Sequence, residues 1–130
     1  MMIHDNNKLR KEIKTILATA LTGVTDRIYY LNFPKPATYP YVVFELREVR
    51  ESYGQTAYTL DVDLVSQSVY TSNSMADKVA DTFDHDAVST NDLFFHSYRN
   101  RRYAVVEEDK KIERVHLQMD LYYWTKEESK

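Results

Sequence analysis

Two aspartates, Asp61 and Asp63, are the residues whose type and spacing come closest to a catalytic arrangement. They stand two apart in the alternating segment Tyr58–Leu64, so both carboxylates should project from one face of a strand. With Asp120 or Glu45 on a neighbouring strand they could hold one Mg²⁺, as in a metal-dependent nuclease. No lysine or glutamate completes a recognisable motif around them. We therefore interpret them as solvent-facing residues of an amphipathic strand and keep metal catalysis as the alternative.

The other residues that could do chemistry are scattered or absent. The four histidines have no second histidine or carboxylate at a metal-binding helical interval, and His85 lies near a predicted helix end, where the dipole favours a cation. The chain has two glycines, too few for a phosphate-binding loop or a nucleophile elbow, and no cysteine for a thiol or thiolate site. The sequence predicts a protein that is not an enzyme and uses no metal or cofactor.

One local segment, Tyr98–Tyr103, is both basic and aromatic. Arginine with tyrosine can stack bases and hold phosphates, but the same two residue types dominate protein interfaces. With 17 basic and 20 acidic residues the net charge is −3, which gives no long-range attraction to phosphate backbones. We favour a protein interface, and keep a small nucleic-acid-binding module that uses Arg99, Arg101 and Arg102 as the alternative.

Helical spacing of apolar residues predicts two helices. The first runs over Asn6–Leu21, and Gly23 suits the left-handed turn that follows it. The second is capped by Ser72 or Ser74 and continues to about Asp84. In each helix one apolar face should pack while the other is solvated.

The period-two pattern predicts the strands. They are a short strand in Arg27–Leu31, then Tyr41–Glu51 and Tyr58–Leu64, and a long hairpin with arms in Leu93–Val106 and Ile112–Trp124. The pattern changes phase near Val49, which indicates a bulge or a strand that leaves the core, and again at Tyr98–Arg102, which indicates a bend or a bulge. The prolines of Asn32–Thr38 make that segment a loop.

This order of elements predicts an α+β fold: an antiparallel β-sheet of four to five strands with two helices packed on one face. We expect a single domain over residues 1–130, with 1–4 and 125–130 frayed. The opposite face would be wet or open to a partner. No signal peptide and no membrane-spanning apolar run is visible, so we expect a soluble intracellular product with no membrane partner.

Three segments carry a resemblance to a known family. They are Gly23–Tyr29, then Tyr39-Pro40-Tyr41-Val42-Val43-Phe44, and Leu60-Asp61-Val62-Asp63-Leu64 before a serine-capped helix. In residues and in element order they resemble the tail completion proteins of long-tailed phages and prophages, which are the tail terminator and head-tail joining proteins.

The resemblance implies a structural protein of the virion, made in the bacterial host cytoplasm and placed at the head-proximal end of the tail. Such proteins form rings, commonly hexamers, that cap the tail tube and join it to the head connector. The implied partners are other copies of the chain, the tail-tube protein and the head-connector proteins, while DNA passes through the channel without specific binding. Acidic residues at 107–109 would suit such a channel.

Contact surfaces are expected on excursions from the compact body, at the proline-rich loop and at the long hairpin. The predicted interface residues are Phe33, Pro34, Lys35, Pro36, Tyr98, Arg99, Arg101, Arg102, Tyr103, Glu107, Glu108 and Asp109.

Overall fold

The structure is a computed structural model that describes residues 6–52, 55–83, 86–89, 93–105, 107 and 111–125. Within these ranges the chain forms two helices and six strands. In chain order they are α1 (Asn6–Ala20), β1 (Ile28–Tyr30), β2 (Tyr41–Ser52), β3 (Gln55–Ser66), α2 (Val69–Phe83), β4 (Asp86–Ser89), β5 (Leu93–Val105) and β6 (Glu113–Thr125). No helix in these ranges is long and apolar enough to cross a membrane.

All six strands belong to one sheet in the order β1-β2-β3-β6-β5-β4. The predicted α+β class is confirmed, with six strands where four to five were expected. The additional strand is β4, which pairs with β5. The sheet is also mixed, because β1 runs parallel to β2 with Ile28 opposite Val42, whereas the other neighbours are antiparallel. The sequence of a three-residue strand does not indicate whether it pairs parallel or antiparallel to its neighbour.

The core lies between one face of the sheet and the two helices. Alternate residues of β2, β3 and β6 and the apolar stripes of α1 and α2 meet there, and their side chains are removed from water. This confirms the predicted inward faces of both helices and of the three central strands. The largest fully buried side chains are Tyr123, Phe44, Phe83, Phe95, Leu9, Ile13, Leu17, Leu21, Leu60, Leu64 and Met75.

The helix ends follow local capping chemistry. Gly23 has the expected left-handed conformation after α1, with φ of 85°. The predicted caps of the second helix are wrong, because α2 begins at Val69 and the Ser68 hydroxyl accepts a 3.3 Å hydrogen bond from the Thr71 amide. Ser72 is instead fully buried, and its hydroxyl donates to the Glu113 carbonyl at 2.7 Å. It joins α2 to the start of β6.

Both predicted irregularities are confirmed as shifts of strand register. The pairing of β2 with β3 shifts register between Glu48 and Arg50, and that of β5 with β6 shifts between Arg99 and Arg101. The second shift matters for the site, because beyond it the other set of alternating β5 residues faces the helices. Arg102 then lies opposite the buried Leu117, on the helix side of the sheet.

Candidate functional site

The face of the sheet that the helices leave uncovered carries a connected set of polar side chains. The outward residues of β2, β3 and β6 lie on it, partly or largely exposed: Glu45, Arg47, Asp61, Asp63, His116, Gln118 and Asp120. Strand pairing brings them together from distant parts of the sequence, with Glu45 opposite Asp61 and Asp63 opposite His116. We call this surface the open face.

His116 is the centre of the open face, because both nitrogens of its ring meet carboxylates. Nδ1 lies 2.7 Å from Asp63 Oδ1, and Nε2 lies 3.0 Å from Asp61 Oδ1. A neutral imidazole donates through only one nitrogen, whereas the imidazolium form donates through both and satisfies both carboxylates. The Tyr103 ring lies over the imidazole at 5.1 Å between centroids, and Gln118 donates to Asp61 at 3.2 Å. Contacts with Asp61, Asp63 and Tyr103 therefore fix the position of the His116 ring.

Each of the two aspartates also forms an ion pair with an arginine. Arg47 places Nη2 at 2.7 Å from Asp61 Oδ2, and this hydrogen-bonded pair raises the pKa of Arg47. Arg114 donates to Asp63 at 3.1 Å and to Glu107 at 2.6 Å. Burial of Arg114 opposes its charged form, but the hydrogen bond to Glu107 and the charges of both carboxylates outweigh burial and raise the pKa of Arg114.

These ion pairs argue against the metal-binding alternative. Asp61 and Asp63 each face an arginine and share His116, so their oxygens are already engaged by guanidinium groups and by the imidazole ring. Among the described residues no group of three or more histidine, aspartate or glutamate side chains is placed to hold a metal ion. The open face is better suited to contact another polar surface than to catalyse a reaction.

A shallow depression of about 550 Å³ covers the network. Leu31 borders it on the β1 side and Tyr103 on the β5 side, and these apolar or aromatic side chains are 50% and 48% exposed. The depression thus has a polar floor between two apolar shoulders. It is open to solvent rather than enclosed, as expected of a contact surface.

The proline-rich loop is attached to one end of the open face by aromatic packing. Phe33 stacks on Tyr41 at 4.8 Å between ring centroids, and Tyr39 lies 5.5 Å from the same ring. The peptide bonds before Pro36 and Pro40 are cis. Tyr41 is almost fully buried, and burial raises the pKa of its phenol. Of the predicted loop residues, Phe33 therefore points to the body, while Pro34, Lys35 and Pro36 are exposed.

The structure separates the predicted residues of the long hairpin. Tyr98, Arg101 and Tyr103 lie on the open face with exposed side chains, whereas Arg102 lies on the helix side and contacts α2. Arg99 pairs with Met119 in the sheet. Glu107 is about three-quarters buried against Arg114, and Glu108 and Asp109 lie outside the described residues. The segment is therefore not one continuous basic surface.

Sequence reasoning assigned the outward residues to one face but missed that His116 and Arg114 bind the two aspartates. The period of two predicts that every second side chain of β3 and β6 faces outward, and all four of these side chains stand at such positions. Which of them meet depends on strand register, which joins residues more than fifty positions apart and is not visible in either segment alone.

Comparison with known proteins identifies similar folds. No family model and no curated protein matches the chain. A chain in the solved structure of the virion of a native gene transfer agent particle is similar to this one, with a TM-score of 0.60, 16% identity and 90% of each chain covered. A second solved structure, whose description states no function, has a TM-score of 0.70 and 11% identity, and the match covers 93% of this chain and 96% of that chain. At these identities the likeness shows a shared fold, and it extends over nearly the whole chain in both cases.

Proposed function

We propose that this chain is a structural protein of a phage virion that forms a ring at the head-proximal end of the tail. The ring terminates the tail tube and joins it to the head connector, and the chain catalyses no reaction. The observation that carries this proposal is the fold it shares with a chain of the gene transfer agent virion, over 90% of both chains. That particle is phage-like, and the resemblance of the sequence to tail completion proteins supports the same class.

The open face suits contact with a flat partner such as the end of a tail tube. Its charges are already paired, so Arg47 and Arg114 are held in place rather than free to reorganise. Side chains fixed before binding lose less conformational entropy when a partner docks. The paired charges also provide no cationic track for phosphates, which agrees with a channel through which DNA passes without specific binding.

The exposed residues at the two ends of the open face are the proposed contact points. Pro34, Lys35 and Pro36 project from a loop that the packing of Phe33 anchors. On the other side, Tyr98 and Arg101 belong to the residue types that contribute most to protein interfaces. A rigidly anchored segment with exposed residues is suited to contact a neighbouring subunit of a ring. We propose that the ring has six subunits.

The second candidate, a nucleic-acid-binding module, depends on the same hairpin. Its support is the exposure of Arg101 between Tyr98 and Tyr103 on one strand. Against it, Arg102 is engaged with α2 and the chain is acidic overall. A salt-sensitive affinity for DNA or RNA that Arg101→Ala abolishes would favour this module over the ring.

Deletion of the coding sequence from the phage or prophage that carries it tests the proposed function. We expect filled heads and separate tails in electron micrographs, because the joint between them is missing. Adding the purified protein to such a lysate should restore joined particles. Normal, infectious virions from the deletion would refute the proposal.

A further inference from the structure

A groove of about 320 Å³ lies beside α1 at the β1 edge of the sheet. Its floor is formed by the rings of Tyr30 and Phe44, which meet edge to face at 5.1 Å between centroids. The Tyr30 hydroxyl lies 3.3 Å from both the backbone nitrogen and the carbonyl oxygen of Leu46, so the ring is fixed in place. The floor is therefore rigid and aromatic.

Three cations border this groove. The Arg10 guanidinium lies 4.6 Å from the centroid of the Tyr30 ring, and Lys11 and Lys14 are exposed on the same side of α1. Within the described part of the chain, neither lysine ammonium has a hydrogen-bonding or ion-pair partner. We call this surface the basic groove. Lysines without an acidic partner among the described residues, set around an aromatic floor, favour an acidic protein surface as the occupant.

An acidic surface lies on the far side of the helix layer. Asp77 of α2 contacts Arg102 of β5 and is still 66% exposed, and Asp81 is exposed one helical turn later. We call Asp77 and Asp81 the acidic flank. In the sheet, β5 lies four places from β1. The two surfaces thus lie at opposite sides of the molecule, and one copy cannot bring its own flank into its own groove.

We propose that the basic groove of one copy receives the acidic flank of the next. A head-to-tail contact of this kind joins two different surfaces and closes into a ring when the rotation between copies closes. Charge complementarity selects a second copy of this chain as the occupant. The inference rests on the proposed self-association and specifies which surfaces make it.

Charge reversal with mixing tests the contact, measured by light scattering at physiological salt with tail-tube protein from the same phage. The groove variant is Lys11→Glu/Lys14→Glu, and the flank variant is Asp81→Lys, which leaves the Asp77–Arg102 contact intact. Each alone places like charges across the contact, so half-assembly should require about ten-fold more protein or higher. Asp26→Lys, at an exposed position between α1 and β1 that belongs to neither the basic groove nor the acidic flank, is the matched control and should assemble as the unmodified chain does.

An equimolar mixture of the two variants should recover assembly, since in an alternating ring every contact joins opposite charges. All the substituted residues are exposed, and thermal unfolding checks that each variant is folded. If the groove variant and the flank variant each assemble normally, the proposed contact is wrong, but the proposal of a ring is not contradicted. A mixture that fails to recover would also overturn it, because the loss would not be one of charge matching. An unmodified chain that stays monomeric with tail-tube protein would overturn both this contact and the proposed function.

Discussion

Arg102 on β5 donates a 2.7 Å hydrogen bond to the carboxylate of Asp77 on α2. A second guanidinium nitrogen lies 3.3 Å from the Asn73 carbonyl and 3.2 Å from its side-chain oxygen. One arginine of the basic and aromatic segment thus joins the helix layer to the sheet. Its neighbour Arg101 lies on the other face and is exposed.

Replacing Arg102 should therefore destabilise the fold, whereas replacing Arg101 should not. For Arg102→Ala we expect the free energy of unfolding to fall by about 1 kcal/mol, the value typical of a partly exposed ion pair with added hydrogen bonds. Urea unfolding measures the change, and Arg101→Ala is the matched control with an expected change of less than about 0.5 kcal/mol. Equal losses for both variants would contradict the different roles assigned to them.

Arg114 should be the most important single residue of the open face for stability. Its removal leaves Asp63 and Glu107, each about three-quarters buried, without their shared cation. For Arg114→Ala we expect a loss of about 2 kcal/mol, and for Arg114→Lys a smaller loss, because an ammonium cannot reproduce the fork of donors. A double-mutant cycle with Asp63→Ala should give a coupling energy clearly above zero. Additive losses would show that the pair makes no net contribution.

Gly23 should be intolerant of a side chain for conformational reasons only. Its φ is 85°, yet a Cβ atom placed there would meet nothing within 4 Å. We expect Gly23→Ala to lower the free energy of unfolding by about 1 kcal/mol, and Gly23→Asn by less, because asparagine tolerates the left-handed region. If both variants unfold at the same denaturant concentration as the parent chain, α1 does not end in the conformation described.

Burial of Tyr41 predicts a loss of stability at alkaline pH. Because burial raises the pKa of this phenol in the folded chain, the folded state keeps a proton that the unfolded state releases. Stability from this source is complete below the ordinary tyrosine pKa of about 10 and falls as the pH rises further.

Thermal unfolding measured from neutral pH to about pH 11 checks this prediction. The curve for Tyr41→Phe should be flatter than those of the parent chain and of Tyr70→Phe, whose side chain is 81% exposed. Three curves of the same slope would refute it.

The sequence predicted those elements in which one face is buried and the other wet. The alternation of Tyr58–Leu64 and Ile112–Trp124 predicted β3 and β6, because each buries every second residue against the helices. The strand β4 has only four residues and was missed. The start of α2 was placed too late, since Val69 and Tyr70 are exposed and gave no buried apolar signal in the first turn.

The sequence predicted which residues of the candidate site share a face of the sheet, but not which of them contact one another. Outward positions followed from the period of two, and the bulge near Tyr98–Arg102 followed from the break in that period. The position of Arg102 on the helix side depended on where in the segment the register shifts, which composition does not reveal. The contacts of His116 with Asp61 and Asp63 likewise required the pairing of β3 with β6.

The mass of the chain in solution, alone and with tail-tube protein from the same phage, tests the central proposal most directly. Light scattering should give a discrete multiple of 15.4 kDa in at least one of the two samples, with six copies expected. Electron micrographs of that sample should show closed rings. A strict monomer in both samples would contradict the account.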